Sequence, residues 1–88
     1  MISYISEFLG SALFIGSIKA SSGNPLVIGI ALALAVMATS GFSGGNLNPA
    51  VSIMNYTLGT LSALDTVIYS LVQIIAAILV GLYVPKMM

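Results

Sequence analysis

The sequence has no cysteine, no histidine and no tryptophan, and only four of its 88 residues carry a formal charge. Without cysteine or histidine there can be no disulfide, no zinc site with the usual ligands and no catalysis by a thiol or an imidazole. Two lysines are too few for a basic surface that would bind nucleic acid. No nucleophile–base pair and no set of metal ligands is present. The composition therefore predicts neither an enzyme nor a protein that holds a metal or another cofactor.

The scarcity of charge also determines the solvent of this protein. Charged residues make up 5% of the chain and hydrophobic residues 59%, whereas a soluble domain is about 25% charged. Such a chain cannot cover its surface with polar groups in water. The composition therefore predicts an integral, multi-pass membrane protein that has the lipid bilayer as its main partner. The four charges are those of Glu7, Lys19, Asp65 and Lys86.

Three apolar segments are long enough to cross a bilayer, which takes about 17–25 residues. They run over about 2–18, 25–41 and 64–84 and are separated by turn-forming clusters. The polar connection 42–58 is long for an ordinary loop, and its second part has the pattern of a short helix. We therefore predict an all-α membrane protein, with residues 1–88 forming one domain of three transmembrane helices and one re-entrant half-helix.

The polar connection contains the motif that organises the chain, Ser43–Val51. Asn48 followed by Pro49 is a helix start, with Asn as the N-cap and Pro at the first helical position. If the Asn48 oxygen accepts from the first turn, its NH₂ group is left free as a donor. Gly44 and Gly45 allow the preceding carbonyls to face a solute. This arrangement suits a neutral hydrogen-bonding solute, although the same motif could simply cap a helix that lies on the membrane surface.

Four motifs occur in register along the chain, and together they resemble one family. The central one reads S-G-G-N-L-N-P-A-V-S, close to the pattern S-G-A-H-[IL]-N-P-A-V-T of the first half of the aquaporin, or major intrinsic protein, family. The other three resemble that family's first, second and third helices. The four matches are Ser43–Ser52, Glu7–Gly10, Ile28–Gly29 and Tyr69–Ile78.

The resemblance implies a membrane channel for water or small neutral solutes such as glycerol, and it implies roles for particular residues. One set would form the constriction at the membrane midplane: Asn48, Pro49 and Ala50. The backbone carbonyls of a second set would line the approach to it: Gly44, Gly45 and Asn46. Two further side chains would anchor the re-entrant loop through hydrogen bonds: Glu7 and Gln73.

Three positions depart from the family pattern and leave the solute open. Asn46 replaces the usual histidine, so a polar group is kept but not a titratable one. Ile28 stands where the selectivity filter usually has an aromatic residue or histidine. Val51 stands where second-half repeats carry arginine. Ile28 and Val51 are therefore the candidate filter residues, and they predict an apolar filter.

A complete member of the family has two such repeats of inverted topology, and this chain contains one. We therefore expect the pore to be rebuilt by a second copy in inverted orientation, in a homodimer that could assemble further into four pores. Lys19 and Lys86 both fall on the side opposite the re-entrant loop. Two lysines bias insertion only weakly, which allows dual topology.

Two other functions fit a small, apolar chain of this kind. A holin-like protein would permeabilise a membrane by oligomerising and would not need the Asn-Pro-Ala motif. A non-conducting half would need a separate partner chain. Neither alternative is excluded by the sequence.

Two smaller predictions concern the third segment and the tyrosines. The spacing from Ser62 to Asp65 is that of a capping box with Asp in place of Glu. Tyr4, Tyr69 and Tyr83 lie near the ends of predicted spans, which is typical of an interfacial aromatic belt.

Overall fold

The computed structural model describes all 88 residues and contains four α-helices and no strand. It measures 40 × 23 × 21 Å along its principal axes. The predicted all-α class is confirmed, and each long helix begins and ends within two residues of its predicted segment. The helices are α1 (Ile2–Ala20), α2 (Pro25–Ser43), α3 (Pro49–Thr57) and α4 (Ala63–Tyr83).

Two of the four helices, α2 and α4, are long and apolar enough to cross a membrane. The 19 residues of α1 also suffice in length, but Glu7 and Lys19 make this helix less apolar. α3 has nine residues and at 1.5 Å per residue is far too short to span. A bundle with three spans and a re-entrant half-helix is consistent with these lengths and remains a prediction.

Local sequence signals explain where the helices start and stop. The Asn24 side chain accepts hydrogen bonds from the first turn of α2. The helix α2 ends at Ser43 and is capped by Gly44, whose left-handed φ of 87° is favourable for glycine because glycine has no Cβ. The Ser62 hydroxyl accepts from the Asp65 amide at 3.1 Å. Only this half of the predicted capping box forms, because the Asp65 carboxylate instead accepts the Tyr4 hydroxyl at 2.7 Å.

α1 is the central helix of the bundle. α2 and α4 both pack on α1 and not on each other, and α3 packs on α4. Near the start of α1, the rings of Tyr4 and Tyr69 meet edge to face with centroids 5.9 Å apart. Tyr69 is 3% exposed, so its prediction as an interfacial belt residue is wrong: its ring fills the α1–α4 contact.

The interior is polar and the exterior apolar, the reverse of a soluble protein. Seven of the 13 buried residues are polar or charged, whereas large hydrophobic side chains on every helix are exposed. An apolar exterior of this extent suits lipid as the surrounding solvent. The buried polar residues are Glu7, Ser11, Ser21, Thr39, Asn46, Ser52 and Gln73.

Gly10 on α1 packs tightly against Leu47 in the connection that precedes α3 and against Thr39 on α2. A Cβ at Gly10 would lie 2.6 Å from a Leu47 methyl carbon and 2.9 Å from the Thr39 methyl carbon. Leu47 is 1% exposed, so its side chain would have to shift within the interior to admit that Cβ. A Cβ at Gly16, on the same helix, would meet nothing within 4 Å.

Replacing Gly10 with alanine is expected to reduce the free energy of unfolding by about 1–3 kcal/mol, the usual cost of overpacking a buried contact. Gly16→Ala is the matched control and should cause no loss, since alanine favours a helix by up to about 1 kcal/mol over glycine. Denaturation of both variants in detergent micelles measures the difference. Equal stability of the two variants would contradict the contact.

Candidate functional site

The connection between α2 and α3 turns back into the bundle through a run of left-handed residues. Gly44, Gly45 and Leu47 have φ values of 87°, 64° and 64°. At Gly45 a Cβ would lie 3.3 Å from the Val36 carbonyl oxygen, so glycine is favoured there by its φ and avoids a crowded contact. At Leu47 the left-handed conformation costs roughly 1–2 kcal/mol. The surrounding contacts must hold Leu47 in place.

The Glu7 carboxylate holds Leu47 and the connection around it. Its Oε1 accepts hydrogen bonds from the Leu47 amide and from the Gln73 Nε2, both at 2.8 Å. Its Oε2 accepts from the Asn46 amide at 3.2 Å and from the Ser43 hydroxyl. Glu7 is completely buried, and its four donors come from α2, α4 and the connection. One carboxylate on α1 thus ties these three parts of the chain together.

Ser11 completes the hold on Leu47. Its hydroxyl donates to the Leu47 carbonyl oxygen at 3.1 Å, and it is fully buried. Ser11 follows Glu7 by four residues, so the two side chains share one face of α1. Both polar groups of the Leu47 backbone are therefore bonded to α1, which stabilises its left-handed conformation.

Gln73 links Glu7 to the first turns of α3. Its Nε2 also donates to the Ser52 hydroxyl oxygen at 3.2 Å. The carboxylate of Glu7 requires the NH₂ side of this amide, so the orientation of Gln73 is determined. The Gln73 Oε1 consequently points away from Glu7. It is the one buried side-chain nitrogen or oxygen atom without a hydrogen-bond partner. Ser52 in turn accepts from the Asn46 Nδ2 at 3.1 Å.

Asn48 caps α3 as the sequence predicts. Its Oδ1 accepts from the Ala50 and Val51 amides at 2.8 and 3.2 Å, with Pro49 at the first helical position. Its Nδ2 makes no hydrogen bond within the chain. Asn48 is half-buried and Ala50 is exposed. The free NH₂ of Asn48 therefore stands at the start of a short helix, where the helix dipole contributes roughly half a positive charge.

The remaining predicted site residues have different surroundings. Ile28 and Val51 are half-buried in the first turns of α2 and α3, and their assignment to a filter remains a prediction, because the filter requires a second unit. The Asn46 side chain is bonded to Ser52 and to Asn55, whose Nδ2 donates to it at 2.9 Å. Only the backbone of Asn46 is thus available to line a pathway.

Sequence reasoning overlooked several residues that build the site. Two of them are connected by helical spacing to residues that it did identify: Ser11 follows Glu7 by four, and Ser52 follows Asn48 by four. A polar residue four positions from an intramembrane polar residue is the signal that could have revealed them. The overlooked residues are Ser11, Ser43, Leu47, Ser52 and Asn55.

Comparison with known proteins identifies the family. The model of the family described as "Major intrinsic protein" matches residues 1–88, the whole chain. The chain belongs to the major intrinsic protein family. Members of this family are integral membrane channels rather than enzymes. The family predicted from the sequence motifs is thereby confirmed.

Individual members of the major intrinsic protein family match over most of this chain. Glycerol uptake facilitator protein-like 6 from Lactiplantibacillus plantarum is 36% identical over 86 residues, and aquaporin A from Dictyostelium discoideum is 36% identical over 90. The glycerol uptake facilitator protein from Haemophilus influenzae is 33% identical over 86. These alignments cover 89%, 85% and 83% of this chain but only 40%, 32% and 33% of the relatives. No solved structure matches the chain.

The Glu7 cluster can be tested by Glu7→Gln. In this variant an NH₂ group replaces one carboxylate oxygen and would face the two hydrogen-bond donors that this oxygen now accepts from. Hydrogen bonds to a charged group contribute about 1.5–3 kcal/mol each to stability. The free energy of unfolding should fall by about 3 kcal/mol or more, and hydrogen exchange of the Asn46 and Leu47 amides should accelerate about 100-fold.

The control for this variant is Asp65→Asn. Its new amide oxygen can still accept the Tyr4 hydroxyl, so the loss should stay below about 1 kcal/mol. If Glu7→Gln leaves the exchange of Asn46 and Leu47 unchanged, the carboxylate does not hold the loop.

Proposed function

We propose that this chain is one half of a membrane channel for water or small neutral solutes. The pore forms where α3 meets the corresponding helix of a second, inverted unit, with Asn48, Pro49 and Ala50 at the midplane. The observation that carries this proposal is the Asn48 side chain, which caps α3 with its oxygen and keeps a free NH₂ donor. Membership of a family of membrane channels supports it.

The charges around the site favour a neutral solute. Glu7 is the one charged side chain of the cluster, and it is buried behind the connection with both oxygens occupied by donors. An ion at Asn48 would lose its hydration shell without meeting a counter-charge. A water molecule there would accept from Asn48, and from its counterpart in the second unit. Its oxygen could then not relay a proton along the file.

A second unit is needed because α3 is covered on one side only. Within the chain it packs on α4 and on no other helix, and its remaining surface includes exposed Ile53, Met54 and Tyr56. A re-entrant backbone is stable at membrane depth only when protein buries it or when it lines a water-filled cavity. We propose a second copy of this chain, inserted in the opposite orientation, as the partner. Such pores could assemble further as the family's channels do.

The central experiment measures flux in proteoliposomes that contain only this chain. Stopped-flow shrinkage is expected to show water or glycerol permeability above that of empty liposomes. Asn48→Asp should reduce this flux to near the background of empty liposomes, since aspartate keeps the capping oxygen but loses the donor and adds a charge. Circular dichroism checks that α3 and the bundle are retained.

Asn24→Asp provides the matched control. Asn24 caps α2 with the same Asn-Pro sequence and the same pair of amide contacts, but it lies at the end of the bundle, so its substitution should leave flux unchanged. A holin-like lesion would survive both substitutions. A non-conducting half would show no flux even for the unaltered chain, and that result would overturn the homomeric channel.

The inverted partner can be tested separately with a topology reporter fused after Met88. Insertion in both orientations should place the reporter on both sides of the membrane in comparable amounts. The reason is that Lys19 and Lys86 give only a weak orientation bias. A reporter found on one side only, with no second protein co-purifying, would rule out the antiparallel homodimer.

A further inference from the structure

The orientation of two successive peptide groups before α3 is fixed by Glu7. All peptide bonds of the chain are trans, so the C=O and the N–H of one peptide point in opposite directions. The Glu7 carboxylate accepts from the amides of Asn46 and Leu47. The carbonyls of the same two peptides, those of Gly45 and Asn46, therefore point away from Glu7. Neither of them accepts a hydrogen bond within the chain.

The next peptide group, between Leu47 and Asn48, has the opposite orientation. The Leu47 carbonyl oxygen accepts from the Ser11 hydroxyl at 3.1 Å, so the oxygen of this peptide, and not its N–H, is turned towards α1. The Asn48 N–H therefore points away from Ser11, and it donates no hydrogen bond within the chain. The unbonded backbone groups thus change at Leu47, from carbonyl acceptors before it to an N–H donor after it.

This reversal depends on Ser11. Leu47 has a φ of 64°, which is unfavourable for a leucine, and Glu7 holds only its N–H side. Ser11 is the one side chain that bonds its carbonyl oxygen. Ser11 is fully buried and Leu47 is 1% exposed, so without the hydroxyl this carbonyl would be buried and unpaired. The Ser11 hydroxyl therefore keeps the Leu47–Asn48 peptide in its observed orientation.

The Asn48 N–H requires an acceptor from outside the chain. An N–H group without an acceptor is costly at membrane depth, because no bulk water is present there to accept from it. Asn48 is half-buried, and Glu7 and Ser11 hold the connection before it inside the bundle. The Nδ2 of Asn48 is the other free donor of this residue. Asn48 thus has two unbonded donors, one in its side chain and one in its backbone.

We propose that Ser11 is a positioning residue of the constriction and directs the Asn48 backbone N–H to the solute as a second donor. The solute in this statement rests on the proposed channel function. Each unit then supplies two donors at the constriction, whereas the sequence indicates only the side-chain amide. The oxygen of the solute is the acceptor that the N–H lacks within the chain. Ser11 itself contacts no solute, because it is fully buried.

Contact between the Asn48 N–H and water is tested by solid-state nuclear magnetic resonance on the ¹⁵N-labelled chain in liposomes. Magnetisation is transferred from water protons to nearby amides. The Asn48 amide signal should appear at short transfer times, together with that of the exposed Ser22. The amides of Asn46 and Leu47, which are bonded to Glu7, should appear later. An Asn48 signal as late as that of Leu47 would overturn the proposal and indicate an acceptor in the second unit.

The role of Ser11 is tested by Ser11→Ala. The unpaired Leu47 carbonyl should allow the Leu47–Asn48 peptide to reorient, so the Asn48 amide resonance should shift and its signal should appear later. The Asn46 amide, still bonded to Glu7, shows whether the connection is retained. Flux should fall about 2- to 10-fold, the effect of one neutral hydrogen bond, and should stay above background because the Asn48 Nδ2 remains.

Ser17→Ala is the matched control, since it makes the same change on the same helix. The Ser17 hydroxyl donates to the Phe14 carbonyl oxygen at 2.6 Å, a bond within α1, so this variant should change neither the Asn48 amide nor the flux. If Ser11→Ala reduces flux but leaves the Asn48 amide as it was, Ser11 has a purely structural role and the proposal is wrong.

The second donor and the channel can fail independently. A chain whose Asn48 amide contacts water but which shows no flux would retain the donor and overturn the channel. A chain that conducts while this amide receives no magnetisation from water would retain the channel and overturn the donor. The water contact is measured on the unaltered chain, so it decides the proposal even if Ser11→Ala does not fold.

Discussion

The structure depends on one buried carboxylate. Glu7 is fully enclosed in a bundle whose exterior is apolar, and an unpaired charge there would cost far more than the fold could tolerate. Four donors, two from the backbone and two from side chains, compensate that cost. Because they come from α2, the connection and α4, satisfying Glu7 requires all three to be in place. The charge thus specifies the arrangement as well as stabilising it.

The left-handed turn before α3 follows from this constraint. Leu47 takes a conformation that a leucine ordinarily avoids, and it does so with both backbone groups bonded to α1. Its side chain fits against Gly10, where an added Cβ would force Leu47 and Thr39 to shift. Because Leu47 is left-handed, the chain turns there and continues into Asn48, the N-cap of α3. A strained residue held by many contacts beside a candidate functional group is a common feature of sites that need defined geometry.

The chain uses the Asn-Pro sequence twice, and the comparison separates local from tertiary effects. Asn24 and Asn48 each cap a helix with the side-chain oxygen and bond the two amides of the first turn. The two helix starts thus share their hydrogen bonds, although the φ of Asn24 is −64° and that of Asn48 is −154°. Asn24 begins α2 after a turn at the end of the bundle in which Ser22 and Gly23 have positive φ. Asn48 begins α3 after a connection that Glu7, Ser11 and Gln73 hold inside the molecule, and only there could its free NH₂ contact a solute that crosses the membrane.

The sequence by itself determined the solvent, the number of helices, the boundaries of the three long helices to within two residues and the cap of α3. These properties follow from local composition and from residues adjacent in the chain, such as Asn48 and Pro49. It also indicated Glu7 and Gln73 through the family resemblance. Only the tertiary structure decided that Tyr69 lies inside the bundle, that the Asn46 side chain turns towards Ser52 and Asn55, and that Leu47 is left-handed. Each of these depends on contacts between residues far apart in sequence, whose geometry no local pattern specifies.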